Sequence, residues 1–283
     1  MSLALATHPP IRPADAIEAE LNYLGPVEGR AFTYTYPPPA GQPRSNITAE
    51  PHRMAIRDLR PTAASVSLDR EGFAVATGAS ALRGFDDEAA IRAVYYPESA
   101  RILQAATGAA RVHIFDHTIR RQAPGAEDRA GGARQPVARV HVDHTEWSGP
   151  QRVRDLLPGE AEALLRGRVQ IVNLWRPIAG PVRDMPLAVC DTTTVAPGDL
   201  VASDLLYPDR RGETYQVRFN PAHRWYWLPE MTVEEALLLK VYDSARDGVA
   251  RFSPHTAFAD PGAPADAPPR QSIELRALLF HAA

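Results

Sequence analysis

The residues with the clearest potential for chemistry lie in one short stretch, Ala138–Thr145, which reads ARVHVDHT. This stretch is predicted to be a strand, and the side chains of a strand alternate between its two faces. His141 and Asp143 would therefore project side by side, while Val140 and Val142 would point the other way. Together with one remote histidine, the pair could form a two-histidine, one-carboxylate metal site. Such a site leaves one side of the metal open and is typical of non-haem Fe(II) oxygenases.

The spacing of this pair gives weak support by itself. With nine histidines and 34 acidic residues in 283, about one His-x-Asp/Glu pair is expected by chance, and the sequence contains two. The strand pattern favours His141/Asp143 over His144/Glu146, because His144 would share the valine face. The alternative is a polar, surface-facing strand edge. For the third ligand, periodicity does not choose between His223 and His255.

A second group of polar residues lies near the end of the sequence. Arg270 and Ser272 share one strand face, so a guanidinium and a hydroxyl could bind a carboxylate together. Arg276 lies on the same face, but six residues of strand span about 20 Å. Arg270 and Arg276 therefore cannot hold the same small dicarboxylate. The alternative is an arginine paired with Glu274 or another surface acid.

These residues need rigid elements to position them, and the hydrophobic pattern predicts mostly strands. Helices are expected over 86–108, 150–167 and 232–237, the last because Thr232 and Glu235 form a capping-box pattern. Short strands separated by Gly, Pro and Asp turns indicate an antiparallel sandwich or barrel. The predicted strands are Ala138–His144, Val169–Arg176, Leu187–Val195, Tyr215–Trp227, Leu238–Tyr242, Arg251–Phe258 and Ser272–Phe280.

Composition excludes several classes of protein. The chain has 45% hydrophobic and 23% charged residues, which is ordinary globular composition, and its net charge of −3 argues against a nucleic-acid binder. A phosphate-binding P-loop is excluded because the single lysine, Lys240, follows Leu-Leu-Leu. The single cysteine, Cys190, is expected to be a buried strand residue, and Arg120–Arg121 a solvated charge pair. No stretch is apolar enough to span a membrane, and residues 1–10 lack a secretory pattern, so a cytoplasmic protein without a membrane partner is expected.

The order of these motifs resembles the Fe(II)/2-oxoglutarate-dependent dioxygenases, and more closely the hydroxylase/desaturase family of natural-product pathways. That family includes a cephamycin-pathway hydroxylation protein and fungal oxygenases of aspergillic acid and meroterpenoid biosynthesis. The resemblance covers most of the chain. It rests on 34–37, 56–60, 67–73, 173–177, 186–188, 223–226, 239–244, 254–258 and 270–276, besides His141-x-Asp143.

The resemblance implies a site, residue by residue. His141, Asp143 and His255 would bind Fe(II), and His255 is preferred over His223 because it comes shortly before the Arg-x-Ser strand. Arg270 and Ser272 would hold the far carboxylate of 2-oxoglutarate, with Arg276 as the rival and Asn173 as a weaker candidate. The large aromatic residues are weak candidates for contacts with substrate, since such residues are more often core; they are Trp175, Trp225 and Tyr226.

The resemblance also implies a fold and an activity. The fold would be mainly β with flanking helices, a cupin-like double-stranded β-helix (jelly roll) in one domain over 1–283, with an N-terminal extension over 1–110 and the jelly-roll core over 111–283. The activity would be hydroxylation or desaturation of a small natural-product intermediate, using Fe(II), 2-oxoglutarate and O2. The alternatives are a cupin-like metal isomerase or hydrolase that does not use 2-oxoglutarate, and a non-catalytic small-ligand barrel. The oligomeric state is not indicated.

Overall fold

The computed structural model of the protein describes residues 16–123, 125 and 134–282. The expectation of a cytoplasmic protein rests partly on residues 1–10, which lie outside this range. The described residues form fourteen strands in two sheets. The strands are β1 (Ala16–Leu24), β2 (Ala31–Tyr34), β3 (Ala49–Asp58), β4 (Phe73–Thr77), β5 (Arg111–Arg121), β6 (His141–Val142), β7 (Val169–Ala179), β8 (Leu187–Cys190), β9 (Leu200–Leu206), β10 (Arg211–Val217), β11 (Trp225–Trp227), β12 (Glu235–Asp243), β13 (His255–Ala257) and β14 (Gln271–Phe280).

The two sheets have different sizes and connections. In the described part of the chain, the larger sheet has nine strands in the order β1-β3-β11-β8-β13-β6-β10-β9-β2. Its neighbouring strands are antiparallel, except that β3/β11 and β2/β9 are parallel. The smaller sheet has five described strands in the order β4-β12-β7-β14-β5, and all its pairs are antiparallel.

Short helices flank these sheets. Asp87 caps the first of them by accepting from the backbone N–H groups of Ala89 and Ala90, and Gly108, at φ 67°, ends the second in the left-handed conformation. The helices are α1 (Glu88–Ala90), α2 (Tyr96–Thr107), α3 (Ser148–Leu156) and α4 (Ala161–Leu164), with a π-helical segment over Ile91–Tyr95 joining α1 to α2. Single 3-10 turns occupy Arg60–Thr62, Thr192–Thr194 and Pro197–Asp199.

The smaller sheet is buried on both faces, and its strands show why. Along β12, Ala236 and Leu238 pack with the α1–α2 region, while Leu237 and Leu239 pack in the cluster that includes residues of the larger sheet. This alternation follows from the two-residue period of a strand. The larger sheet carries a third apolar cluster, which includes Trp225 and Cys190. The mainly β architecture with flanking helices agrees with the expected fold class. The division of the chain at residue 110 stays a prediction.

Several predicted elements differ from the structure. The strands expected over 187–195 and 251–258 are reduced to β8 and β13, and the helix expected over 150–167 is divided into α3 and α4. The helix expected over 232–237 is wrong: Thr232 and Glu235 do form the capping hydrogen bond, 2.9 Å from the Thr232 N–H to the Glu235 carboxylate, but it closes a turn. The apolar run that follows is then drawn into β12 by pairing with β4 and β7. The strand expected over 215–227 is split into β10 and β11 by a turn at Pro221. The strand expected over 138–144 is reduced to His141–Val142.

Candidate metal centre

Two adjacent strands of the larger sheet bring a remote histidine to the His-x-Asp pair. His141 on β6 lies directly opposite His255 on β13, and their ring centroids are 4.5 Å apart. Asp143 follows one residue after β6. The ligand atoms of these three residues all lie within 4.8 Å of one another, the one such His/Asp/Glu/Cys cluster among the described residues. We refer to His141, Asp143 and His255 as the triad.

The backbone selects the form of each imidazole. The Nδ1 atom of His141 is 2.7 Å from the carbonyl oxygen of Arg139, and the Nδ1 atom of His255 is 3.1 Å from that of Ser253. A carbonyl can only accept a hydrogen bond, so each Nδ1 carries the proton and donates it. Each Nε2 atom then presents a lone pair, which is the form of histidine that binds a metal ion.

The smaller sheet holds the carboxylate of Asp143. Asn173 on β7 donates from its amide nitrogen to Oδ2 of Asp143 at 2.7 Å, and Nε of Arg276 on β14 lies 3.4 Å from the same oxygen. Asn173 and Arg276 are themselves paired across β7 and β14. The other oxygen, Oδ1, is 3.5 Å from Nε2 of His141. One carboxylate oxygen is therefore held from behind while the other faces the histidines.

The charges around the triad favour its metal-binding forms. Burial alone would raise the pKa of Asp143, but the neighbouring His141 and the charge of Arg276 outweigh burial and hold that pKa well below its ordinary value. Burial, followed by repulsion from His141, lowers the pKa of His255. At neutral pH, Asp143 is thus ionised and His255 is neutral.

A cavity opens beside the two histidines, and we call it the first cavity. Its walls combine a buried aromatic side chain, Trp175, with charged groups from the smaller sheet. The residues that line it are Arg120, Val137, His141, Trp175, Leu187, His255, Thr256, Ala257, Arg270 and Glu274.

Arg270 and Ser272 leave polar atoms unused beside this cavity. Arg270 is 3% exposed, donates from one terminal nitrogen to the carbonyl of Met185, and stacks its guanidinium 5.4 Å from the ring centroid of Trp175. Its Nε atom and the hydroxyl of Ser272 are buried and have no hydrogen-bond partner among the described residues. Burial, then repulsion from Arg120, lowers the pKa of Arg270 to about 9. A buried cation with an unsatisfied donor is suited to an anionic ligand.

Arg276 has a different environment. It donates to Asp116 at 2.8 Å and to Glu274 at 3.2 Å, besides its contact with Asp143. Burial would lower the pKa of Arg276, but the charges of Glu274, Asp116 and Asp143 outweigh it and raise that pKa above its ordinary value. The positive charge of Arg276 is therefore paired with acidic side chains of the protein, whereas Arg270 forms no ion pair among the described residues.

The interpretation of Arg120 as a solvated residue is wrong. Arg120 is 9% exposed, donates to the carbonyl of Gln135 at 2.6 Å, and lines the first cavity. It lies opposite Ser272 in the pairing of β5 with β14. The alternation along β5 was the available signal, because it places Arg120 and Arg121 on opposite faces of the strand.

Comparison with known proteins agrees with this site. Residues 21–280 match the family described as oxidoreductase/YMDC permease-like domain. The chain is 32% identical to the hydroxylase/desaturase efuI of Hormonema carpetanum, over 93% of this chain and 95% of that protein. It is 33% identical to the Fe(II)/2-oxoglutarate-dependent dioxygenase nvfI of Aspergillus novofumigatus, over 93% and 96%. The chain belongs to this dioxygenase family.

A solved structure extends the likeness to the fold. The iron and alpha-ketoglutarate-dependent endoperoxidase NvfI superposes with a TM-score of 0.86 at 32% identity, covering 95% of this chain and 100% of that one. This confirms the jelly-roll fold class and the enzyme class expected for the chain. Fe(II), 2-oxoglutarate and O2 are the cofactor and cosubstrates of the dioxygenase family. Two imidazoles and a carboxylate suit Fe(II), and the unsatisfied Arg270 and Ser272 suit a carboxylate of 2-oxoglutarate.

The other predicted residues divide between the site and the core. Trp175 lines the first cavity, whereas Trp225 and Tyr226 lie outside the set of described residues that line it. Trp225 is fully buried and donates from its indole N–H to the hydroxyl of Tyr23 at 2.7 Å, and Tyr226 packs near Phe73. The alternative ligand His223 is also buried, between Tyr23 at 3.2 Å and Asp199 at 3.1 Å.

Two further expectations concern the rest of the chain. Cys190 is buried, as expected, and burial raises the pKa of its thiol. In the ranges that the structure describes, no helix has the length and apolar character that crossing a membrane requires.

Proposed function

We propose that this chain is a non-haem oxygenase that hydroxylates or desaturates a small natural-product intermediate. In the same turnover, 2-oxoglutarate and O2 would be converted to succinate and CO2, and the second oxygen atom of O2 would enter the substrate as a hydroxyl group or, in desaturation, leave as water. The observation that carries the proposal is the convergence of His141, Asp143 and His255 beside a cavity with the unsatisfied Arg270 and Ser272. Small-molecule substrates are those of the family. The cytoplasmic location and the absence of nucleic-acid and membrane partners stay predictions.

Each residue has a role that follows from its contacts. When bound, Fe(II) supplies the activation of O2, coupled to oxidation of 2-oxoglutarate. His141 and His255 would bind the metal through Nε2, and Asp143 through the oxygen that Asn173 and Arg276 leave free. Arg270 and Ser272 would orient 2-oxoglutarate by its far carboxylate, with Trp175 supporting the guanidinium. Asn173 and Arg276 would act as positioning residues for Asp143, since hydrogen bonds behind a ligand fix its orientation.

The test is an anaerobic titration of the protein with Fe(II) and 2-oxoglutarate, followed by visible absorption. The wild-type protein is expected to develop the weak charge-transfer band of a metal-bound 2-oxo acid. His255→Gln should abolish the band, because one of three protein ligands is lost. His223→Gln is the matched control: it also changes a buried histidine, and should keep the band if circular dichroism shows that it folds.

Two outcomes would contradict the proposal. A folded wild-type protein without the band, and without succinate formation from 2-oxoglutarate, would favour a cupin-like metal enzyme that does not use 2-oxoglutarate. If folded His223→Gln loses the band and His255→Gln keeps it, the third ligand is His223 and not His255.

A further inference from the structure

A second cavity borders the triad from a different side. Asp143 lines it, whereas His141 and His255 line the first cavity. Its walls come from α3 and from the hairpin of β9 and β10. Because the residues proposed for 2-oxoglutarate lie in the first cavity, the second is available to the organic substrate.

Three arginines face this second cavity, and two of them have no acidic partner. The guanidinium groups of Arg152 and Arg210 form no hydrogen bond or ion pair with any residue that the structure describes. Their guanidinium carbons lie against aromatic rings instead, 5.6 Å from the ring centroid of Phe115 for Arg152 and 3.8 Å from that of Tyr207 for Arg210. The third, Arg211, is 3.8 Å from Asp204 and stacks 5.0 Å from the Trp147 ring.

The acids that line the same cavity are already engaged. Glu213 accepts from Arg30 and from the hydroxyl of Thr145, and Asp155 accepts from Gln151 at 2.7 Å. Asp143 is held by Asn173. Burial, followed by the positive charge of Arg210, lowers the pKa of Arg152. Three arginines and three acids therefore line the cavity, and the guanidinium groups of Arg152 and Arg210 form no ion pair within the described ranges.

We propose that the second cavity binds a carboxylate group of the organic substrate, held by Arg152 and Arg210. This inference rests on the proposed function, because it assigns a substrate class to the same metal centre. The planar guanidinium group suits a planar carboxylate, to which it can donate two parallel hydrogen bonds. Trp147, whose large apolar side chain is 41% exposed, and Tyr207 would pack against the apolar body of the substrate. The substrate class is thus a small organic acid with an apolar skeleton.

The test compares two probes of the same skeleton, one ending in a carboxylate and the other in an uncharged amide: 1-naphthaleneacetate and 1-naphthaleneacetamide. Binding is measured by calorimetry on the anaerobic protein loaded with Fe(II) and 2-oxoglutarate, and again on the metal-free protein. The carboxylate should bind more tightly than the amide. Arg152→Gln should weaken carboxylate binding by about 10-fold or more, because a charge-assisted hydrogen bond is lost. Arg210→Gln should act in the same direction, and neither variant should change amide binding.

Arg154→Gln is the matched control, because Arg154 lies on the same helix but pairs with Glu162 and does not line the cavity. It should leave binding of both probes unchanged. The proposal is overturned if the two probes bind equally, if neither binds up to its solubility limit, or if Arg154→Gln weakens carboxylate binding as much as Arg152→Gln. The charge-transfer band is a separate readout. If the wild-type protein lacks the band, the proposed function is contradicted. If the band is present but Arg152→Gln and Arg210→Gln leave carboxylate binding unchanged, only this inference is contradicted.

Discussion

Arg270 and Arg276 lie on the same strand, β14, but their guanidinium groups meet different surroundings. Arg276 contacts Asp143, Asp116 and Glu274, while Arg270 keeps an unsatisfied nitrogen beside the first cavity. Counting along the strand could show that they cannot share one small ligand. Counting along the strand could not show which of the two arginines forms ion pairs with acidic residues of the protein. The contacts favour Arg270 as the residue for 2-oxoglutarate and Arg276 as a support for Asp143.

Substitution of these two arginines should separate their roles. Arg270→Gln is expected to raise the Kd for 2-oxoglutarate by about 10- to 100-fold, because a charged hydrogen bond is lost, and to leave Fe(II) affinity unchanged. Arg276→Gln should instead weaken Fe(II) binding by about 10- to 100-fold, as for other residues that orient a metal ligand. Anaerobic metal titration, followed by 2-oxoglutarate titration at saturating metal, measures both. The same defect in both variants would contradict this division of roles.

At the scale of elements, α3 connects the metal centre to the second cavity. It begins five residues after Asp143, carries Arg152, and packs Gly149 directly on the ring of Tyr242 from β12. A Cβ atom at Gly149 would overlap that ring. The glycine is therefore required by the close approach of helix and strand.

Gly149→Ala should destabilise the protein by about 1–3 kcal/mol, the usual cost of forcing extra volume into a packed contact. Urea unfolding followed by circular dichroism gives the free energy of unfolding. Gly159→Ala serves as the control, because a Cβ atom there meets no atom within 4 Å and the backbone is not left-handed. Equal stability of the two variants would mean that α3 adjusts its position at little cost.

At the scale of the whole molecule, both sheets are needed to complete one centre. The larger sheet supplies the histidines, and the smaller sheet supplies the residues that hold Asp143 and line the first cavity. The smaller sheet also contains a buried charge network. The single lysine, Lys240, is fully buried and donates to Asp243 at 2.7 Å and to Asp69 at 2.5 Å, while Arg168 donates to Asp243 at 2.7 Å.

This network predicts how stability depends on pH. Burial alone would raise the pKa of Asp243, but the hydrogen bonds from Arg168 and Lys240 outweigh it and lower that pKa below its ordinary value. A carboxyl group with a depressed folded-state pKa stabilises the fold above its unfolded value of about 3.9, and this contribution is lost as pH falls through the folded value. The free energy of unfolding should therefore fall below about pH 4.

Asp243→Asn should lower the free energy of unfolding at pH 7 by about 3 kcal/mol, because it removes one partner of a buried ion pair. It should also make the decline below pH 4 shallower. Urea titrations at a series of pH values measure both effects. Asp247→Asn, at an exposed position four residues away, is expected to match the wild type. If Asp243→Asn keeps the stability and the acid response of the wild type, this network does not set the pH dependence of stability.

Much of the site could be predicted from local sequence pattern. His141 and Asp143, Arg270 and Ser272, and the resemblance that favoured His255 were all readable from residue order. The two-residue period of strands placed the members of each pair on one face. Local pattern failed where pairing partners decided the outcome. At Thr232–Glu235 the capping hydrogen bond formed, but the buried run after it was stabilised by β4 and β7 as a strand.

The amino-acid sequence by itself determined the mainly β character of the chain, the order of its chemical motifs and its family. Only the tertiary structure showed that His255 lies beside His141 and Asp143, because β6 pairs with β13, while His223 is buried beside Tyr23 and Asp199. Only the tertiary structure paired Arg276 with acids and left the guanidinium groups of Arg152 and Arg210 without an ion pair among the residues it describes. The physical reason is that electrostatic interactions act between groups close in space, and long-range strand pairing, which local periodicity does not encode, sets those distances.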